Sequence, residues 1–194
     1  IRACSILLNT LESRDRYAIG AFDNIVEWFH AGRSKRLSFT CADNDGLSQG
    51  DQFLRDITAR GGTELFQALQ DASTLMQEHS GDRQPVLVIV TDGQVADESR
   101  ILRLVQTRLG LGRVFCVGVD TCVNEGLLKR LANLGGGTSV SVSPGESLEN
   151  ALTAIGREIG APLVTDISVS LQQNSGASTR VMEIEQAPSR LLDL

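Results

Sequence analysis

Two oxygen-bearing side chains stand where this sequence changes from one element to the next, and the chemistry it offers starts with them. Asp92 follows the stretch Pro85-Val-Leu-Val-Ile-Val-Thr, and Thr63 follows Arg60-Gly61-Gly62. An uninterrupted apolar run such as Val86 to Val90, mostly β-branched, predicts a strand covered on both faces by helices. Ligands bind at the carboxyl ends of strands in open α/β sheets, so a carboxylate at Asp92 is placed for chemistry or for a metal. The paired glycines let the backbone turn sharply into an amphipathic helix predicted over Glu64 to His79, with Leu65, Phe66, Leu69 and Ala72 inward. Thr63 then lies at the N-terminus of that helix, free to cap it or to bind. A hydroxyl and a carboxylate on one rim make a hard, oxygen-only site of the kind Mg²⁺, Mn²⁺ or Ca²⁺ takes. The plainer alternative is that Thr63 caps its helix and Asp92 its turn, with no metal.

The elements that would position these residues follow from periodicity and punctuation. Ile1 to Leu11 has helical apolar spacing, and it begins without a capping residue, as expected if further chain precedes it. Tyr17 to Phe22 and Ile25 to Phe29 read as two strands joined by a tight turn at Asp23-Asn24. Arg33 to Gly50 reads as irregular, with Leu37 to Cys41 extended, and a short helix is predicted over Gln52 to Thr58. After the strand ending at Asp92 come a helix over Asp97 to Leu109, a buried strand over Val114 to Val119 and a helix over Asn124 to Leu134 stopped by Gly135 to Gly137. A short strand over Ser139 to Ser143 and a helix over Ser147 to Ile159 complete the series. Such alternation implies a doubly wound, mostly parallel α/β sheet flanked by helices. Gly160-Ala161-Pro162 breaks the rhythm, and Leu163 to Leu171 with Arg180 to Glu185 reads as a β-hairpin around Asn174-Ser175-Gly176. The expected division is a domain over 1–160 and a β-rich tail over 161–194, part of the sheet or the start of a following β domain.

Composition narrows the function classes. A net charge of −6 with scattered arginines argues against nucleic acid, which needs a basic stripe. No apolar run reaches the ~18 residues of a membrane span. The four cysteines, Cys4, Cys41, Cys116 and Cys122, lack metal spacing and read as free thiols in a chain of 194 residues that needs no staples. His30 and His79 are far apart and read as surface residues, and no nucleophile elbow or phosphate loop is present.

The metal-type segments resemble those of the von Willebrand factor type A domain: Gly61-Gly62-Thr63 is similar to its second metal segment and Val90-Thr91-Asp92-Gly93 to its third. Arg14-Asp15-Arg16-Tyr17, Ala21-Phe22-Asp23 and Gly135-Gly136-Gly137 are most similar to the inter-alpha-trypsin-inhibitor heavy-chain branch, over roughly Ile1 to Gly160. The resemblance implies a non-enzymatic protein-interaction or adhesion module. In that family the metal-ion-dependent adhesion site takes the threonine directly and the aspartate through water, and an acidic side chain of the partner protein completes the coordination. The family's first metal segment, Asp-x-Ser-x-Ser, ends a strand just before the helix that here begins at Ile1, and it has no counterpart at that point. The site is therefore expected to be vestigial or incomplete, weakly occupied or empty here, with Mg²⁺, Mn²⁺ or Ca²⁺ bound in an intact parent. Asp166-Ile167-Ser168-Val169-Ser170 has the matching spelling and is the candidate substitute, although a turn and a strand follow it where the family has a glycine and a long helix. An open sheet slot would also expose strand edges, which favours strand swapping or dimerisation. The resemblance leans towards an extracytoplasmic or cell-surface setting. Two rivals stand beside it: a Mg²⁺-dependent hydrolase or phosphotransferase using Asp92, and a purely structural domain of a larger protein.

Overall fold

A computed structural model describes residues 2–32, 36–58, 62, 64–79, 83–92, 95, 97–108, 112–119, 123–143 and 147–160, with the backbone of 164–165 and 190–191. The chain divides into two compact units, Ile1–Ile159 and Gly160–Leu194. In the first unit, the apolar runs at Val86–Thr91 (β5), Arg113–Val119 (β6) and Ser139–Val142 (β7) form one parallel sheet in the order β5-β6-β7. Val88 faces Phe115 across the first pairing and Val117 faces Val140 across the second. Parallel neighbours need crossover helices, which are Glu98–Arg108 (α4) between β5 and β6 and Glu125–Leu134 (α5) between β6 and β7.

Helices cover both faces of this sheet. On one side Leu65–His79 (α3), α4 and α5 bury Leu69, Ile101, Val105, Leu127 and Leu131 against Ile89, Val114 and Cys116. On the other, Arg2–Leu8 (α1) and Leu148–Gly160 (α6) bury Ala3, Leu152 and Ile155 against Phe115 and Val117. Burial of this kind contributes about 25 cal/mol per Å² of apolar surface and is the main source of stability. It also pushes the Cys116 thiol up to about 12, the Ala132 backbone hydrogen bond offsetting little of the shift. Cys4, Cys41 and Cys116 are free thiols.

Several sequence expectations shift in the structure. The strand predicted over Tyr17 to Phe22 is two strands with different partners. Arg16–Tyr17 (β1) pairs antiparallel with Thr40–Cys41 (β4), and Gly20–Phe22 (β2) pairs antiparallel with Val26–Trp28 (β3). The short helix expected over Gln52 to Thr58 is Asn44–Asp56 (α2), entered through an Asp43 side chain that accepts from the Gly46 N–H. Two glycines inside α2 hid it. Gly46 lies against the Cys41 carbonyl, where a Cβ would sit 2.3 Å from the oxygen. Tyr17, 7% exposed, donates its hydroxyl hydrogen to the Gly46 carbonyl at 2.5 Å and closes a third cluster with Leu8, Phe29, Ala42 and Leu54.

Among the described strands, β6 occupies the middle of the parallel sheet. β5 is bonded to β6 on one side, and no described strand pairs with its other edge. Uniform apolarity reports that both faces are covered and is silent about neighbours within the sheet. In the second unit, Val164–Thr165 (β8) pairs antiparallel with Arg190–Leu191 (β9). The expected turn at Asn174-Ser175-Gly176 and the strand over Arg180 to Glu185 lie outside the described residues.

Candidate functional site

The rim at the carboxyl end of β5 is assembled from three pieces of chain. The first is β5 itself, which ends in buried Thr91 and delivers Asp92 to the surface. Val95, 7% exposed, packs in the same cluster as Leu65 and Ile89. The second is the entry to α3. The first turn of α3 carries Leu65, which belongs to the same buried cluster as Val95 and Ile89.

The third piece is the β2–β3 turn. The Asp23 carboxylate accepts from the Ile25 N–H at 2.9 Å, an Asx turn, and its backbone carbonyl accepts from the Glu64 N–H at 2.7 Å. Gly62 has φ +97°, and a Cβ there would lie 2.0 Å from the Asn24 Oδ1. The left-handed backbone and the close approach both require glycine, so the second residue of Gly61-Gly62-Thr63 fastens the helix entry to the hairpin. The Trp28 indole N–H donates to Asp71 of α3 at 3.1 Å and ties down the hairpin's other strand.

A further clamp joins the helices that follow. Glu98, in the first turn of α4, accepts from the Asn124 side chain at 2.5 Å and pairs with Arg130 of α5 at 2.6 Å. Asn124 also caps α5 by accepting from the Leu127 N–H at 3.0 Å. The carboxylate thus holds the N-terminal ends of two crossover helices together, a role the sequence shows only as a first-turn acid.

Of the sequence-predicted site residues, Asp92 lies exposed at the rim, while Thr63, Asp166, Ser168 and Ser170 lie outside the described residues. Asp92 is therefore the one candidate ligand the structure places. Among the described residues, no three His, Cys, Asp or Glu side chains gather as a metal centre would require. His79 is exposed as expected from sequence, whereas His30 is half-buried. Sequence reading missed Glu98, Asn24 and the guanidinium of Arg100, which stacks 3.7 Å above the Phe66 ring at the α3–α4 groove. The turn at Asp23-Asn24 was the only legible signal among these.

Comparison with known proteins agrees with this architecture. The profile of the von Willebrand factor type A domain matches residues 2–141. A von Willebrand factor A domain-containing protein of Dictyostelium discoideum is 24% identical over 196 residues, covering 98% of this chain and 20% of the relative. Inter-alpha-trypsin inhibitor heavy chain H2 of Mesocricetus auratus is 21% identical over 189 residues, covering 90% of this chain and 19% of the relative. The chain thus spans about a fifth of the length of these curated relatives. Among solved structures, a von Willebrand factor type A protein from Catenulispora acidiphila superposes with a TM-score of 0.69 at 16% identity, over 80% of this chain and 36% of that one. A manganese-loaded TRAP protein of Plasmodium vivax gives 0.59 at 16% identity, over 79% and 62%. With a family profile matched over well more than half its length and the doubly wound sheet that the fold requires, this chain belongs to the von Willebrand factor type A domain family.

Proposed function

We propose that this domain is a non-enzymatic protein-interaction module that recognises its partner at the rim holding Asp92, the Asp23–Asn24 turn and Thr63, through an incomplete metal-ion-dependent adhesion site. Domains of this family are generally protein-interaction modules and often bind a divalent metal. The observation that carries the reading is the exposed Asp92 at the carboxyl end of a parallel strand, in a chain of this family. An extracytoplasmic or cell-surface setting belongs to the same reading. Among the described residues no helix is long and apolar enough to cross a membrane.

The donor set does not fit a tightly held ion. Mg²⁺ needs about six oxygens in an octahedron, and Ca²⁺ needs about six to eight. Asp92 and Thr63 together offer two side chains and at most three oxygens. The edge of β5 that carries no described partner strand is the place where the deficit would be met, because a parallel strand laid along it would finish beside Asp92. Asp166, Ser168 and Ser170 have the spelling such a strand would need, and an extended segment from a second copy is the other source. Titration calorimetry of Mg²⁺ and Mn²⁺ tests this. The chain is expected to bind with a Kd no tighter than the order of millimolar. Thr63→Ala and Asp92→Ala should abolish what heat there is, and Asp166→Ala should leave it unchanged. Loss in all three would make Asp166 a working ligand, and micromolar binding indifferent to Asp92→Ala would remove the rim from the metal's path.

A further inference from the structure

Beside the proposed rim, the first turn of α3 and the start of α4 enclose a groove of about 200 Å³, lined by Glu64, Phe66, Gln67, Gln70, Asp97 and Arg100. Arg100 is the unusual member. Its guanidinium lies 3.7 Å above the centroid of the half-buried Phe66 ring, and no carboxylate pairs with it among the described residues. Stacking uses the face of the guanidinium and leaves its in-plane N–H groups directed outward, which is the geometry that takes a carboxylate in bidentate fashion. A free surface arginine would first have to give up rotamer freedom to bind, and one already stacked has given up much of it. Some exposed arginines of this chain spend their charge on neighbours, as Arg55 does on Asp51 at 2.6 Å, Arg14 on Glu12 at 2.9 Å and Arg130 on Glu98 at 2.6 Å, so what sets Arg100 apart is the aromatic ring beneath it.

We infer that the stacked Arg100–Phe66 pair forms a metal-independent subsite for a single acidic side chain of a protein partner. Gln67 is held away by donating to Asp71 at 2.8 Å, which leaves the Gln70 amide as the groove's neutral side-chain donor beside the charged Arg100. The exposed carboxylates of Glu64 and Asp97 flank the groove and repel additional negative charge. They weaken binding of any anion, and of a doubly charged phosphate or an acidic run more than of one carboxylate, so a single carboxylate held by Arg100 is the ligand least penalised. The inference extends the interaction reading above without resting on its metal. A partner engaging both points would present two acidic residues, one for the rim and one for Arg100.

The test uses the whole chain in EDTA, with acetyl-Gly-Glu-Gly-amide as probe and acetyl-Gly-Gln-Gly-amide as control, followed by NMR at the arginine Nε–H groups and the Phe66 ring. Saturable shifts are expected at Arg100 and Phe66 with the glutamate peptide, roughly tenfold stronger in affinity than at any other arginine. The glutamine peptide should give none. Arg100→Gln should abolish the Phe66 response, and Phe66→Leu, which keeps the charge but removes the stack, should weaken the binding read at the Arg100 Nε–H severalfold while the remaining spectrum stays that of the folded chain. Equal, non-saturating shifts at all exposed arginines, or an unchanged response in Phe66→Leu, would overturn the inference. Because metal is absent throughout, failure here leaves the metal titration to be judged by itself.

Discussion

Phe115→Ala is expected to cost about 3–5 kcal/mol of stability, the largest single loss any substitution in the described core should produce. Phe115 is fully buried at the middle of β6 and faces Val88 in the β5 register. It is the largest member of the cluster through which α1 and α6 sit on the sheet, together with Ala3, Val117, Leu152 and Ile155. Truncation leaves a void between helix and sheet that strands on both sides keep from collapsing. It also removes the ring beneath the Arg113 guanidinium, 4.7 Å from the ring centroid, where a cation–π contact contributes about 0.5–2 kcal/mol. Against a typical total of about 5–15 kcal/mol, such a loss would leave much of the population unfolded at modest temperature. Urea unfolding followed by circular dichroism checks it, with Phe115→Leu, expected to cost less than about 1.5 kcal/mol, as the volume-sparing control. A loss under about 1 kcal/mol for Phe115→Ala would mean that α1 and α6 are not packed on this face as described.

Gly46→Ala carries the second large effect, and its sign decides between two contributions. On helix propensity alone, alanine for glycine inside a helix gains about 1 kcal/mol. At Gly46 the added methyl would meet the Cys41 backbone carbonyl at 2.3 Å and the Thr40 side chain at 3.1 Å. A carbonyl within a strand pairing cannot swing aside as a side-chain tip can. Relief would have to move α2 off β4, and with it the Tyr17 hydrogen bond to the Gly46 carbonyl. Overpacking of this kind costs about 1–3 kcal/mol, so net destabilisation is expected. Gly156→Ala in α6 supplies the contrast, because the nearest atom there is Thr10 at 3.6 Å, ordinary contact, and propensity should win by about 1 kcal/mol. Thermal unfolding of the two variants side by side should move the midpoint in opposite directions. A stabilised Gly46→Ala would contradict the contact of α2 with β4. Gly46 is hydrogen-bonded to Tyr17 of the third cluster and Phe115 lies in another, with no partner shared between them among the described residues, so their costs should add in the double variant.

The same residues show why some of this fold was legible and some was not. The parallel sheet was read correctly because Val86 to Val90 and Val114 to Val119 are apolar without interruption, and helix stops such as Gly135 carry local chemistry. α2 was read too short because Gly46 and Gly50 look like helix breakers, whereas each is small to let a neighbour approach: Cys41 in one case, the Tyr17 ring in the other. The division of Tyr17 to Phe22 into β1 and β2 depends on Thr40–Cys41, a partner distant in sequence that no local pattern announces. Likewise, that β5 has one partner among the described strands is a property of the sheet and not of its residues. Asp92 is a candidate from sequence because a carboxylate after a buried strand is a local signal, and the structure describes it as exposed at the end of β5. Arg100 was missed because its significance lies in the Phe66 ring beneath it, on another helix.

Paramagnetic broadening by Mn²⁺ tests the central reading most directly, since it reports where a divalent ion dwells even when it binds weakly. As Mn²⁺ is added to ¹⁵N-labelled chain, the amides of Asp92, Gly62, Glu64 and the Asp23–Asn24 turn should broaden first, and Asp92→Ala should remove that preference. Broadening that starts instead at the exposed acids of α2, Asp45 and Asp56, or that persists at the rim in Asp92→Ala, would contradict a site organised around Asp92.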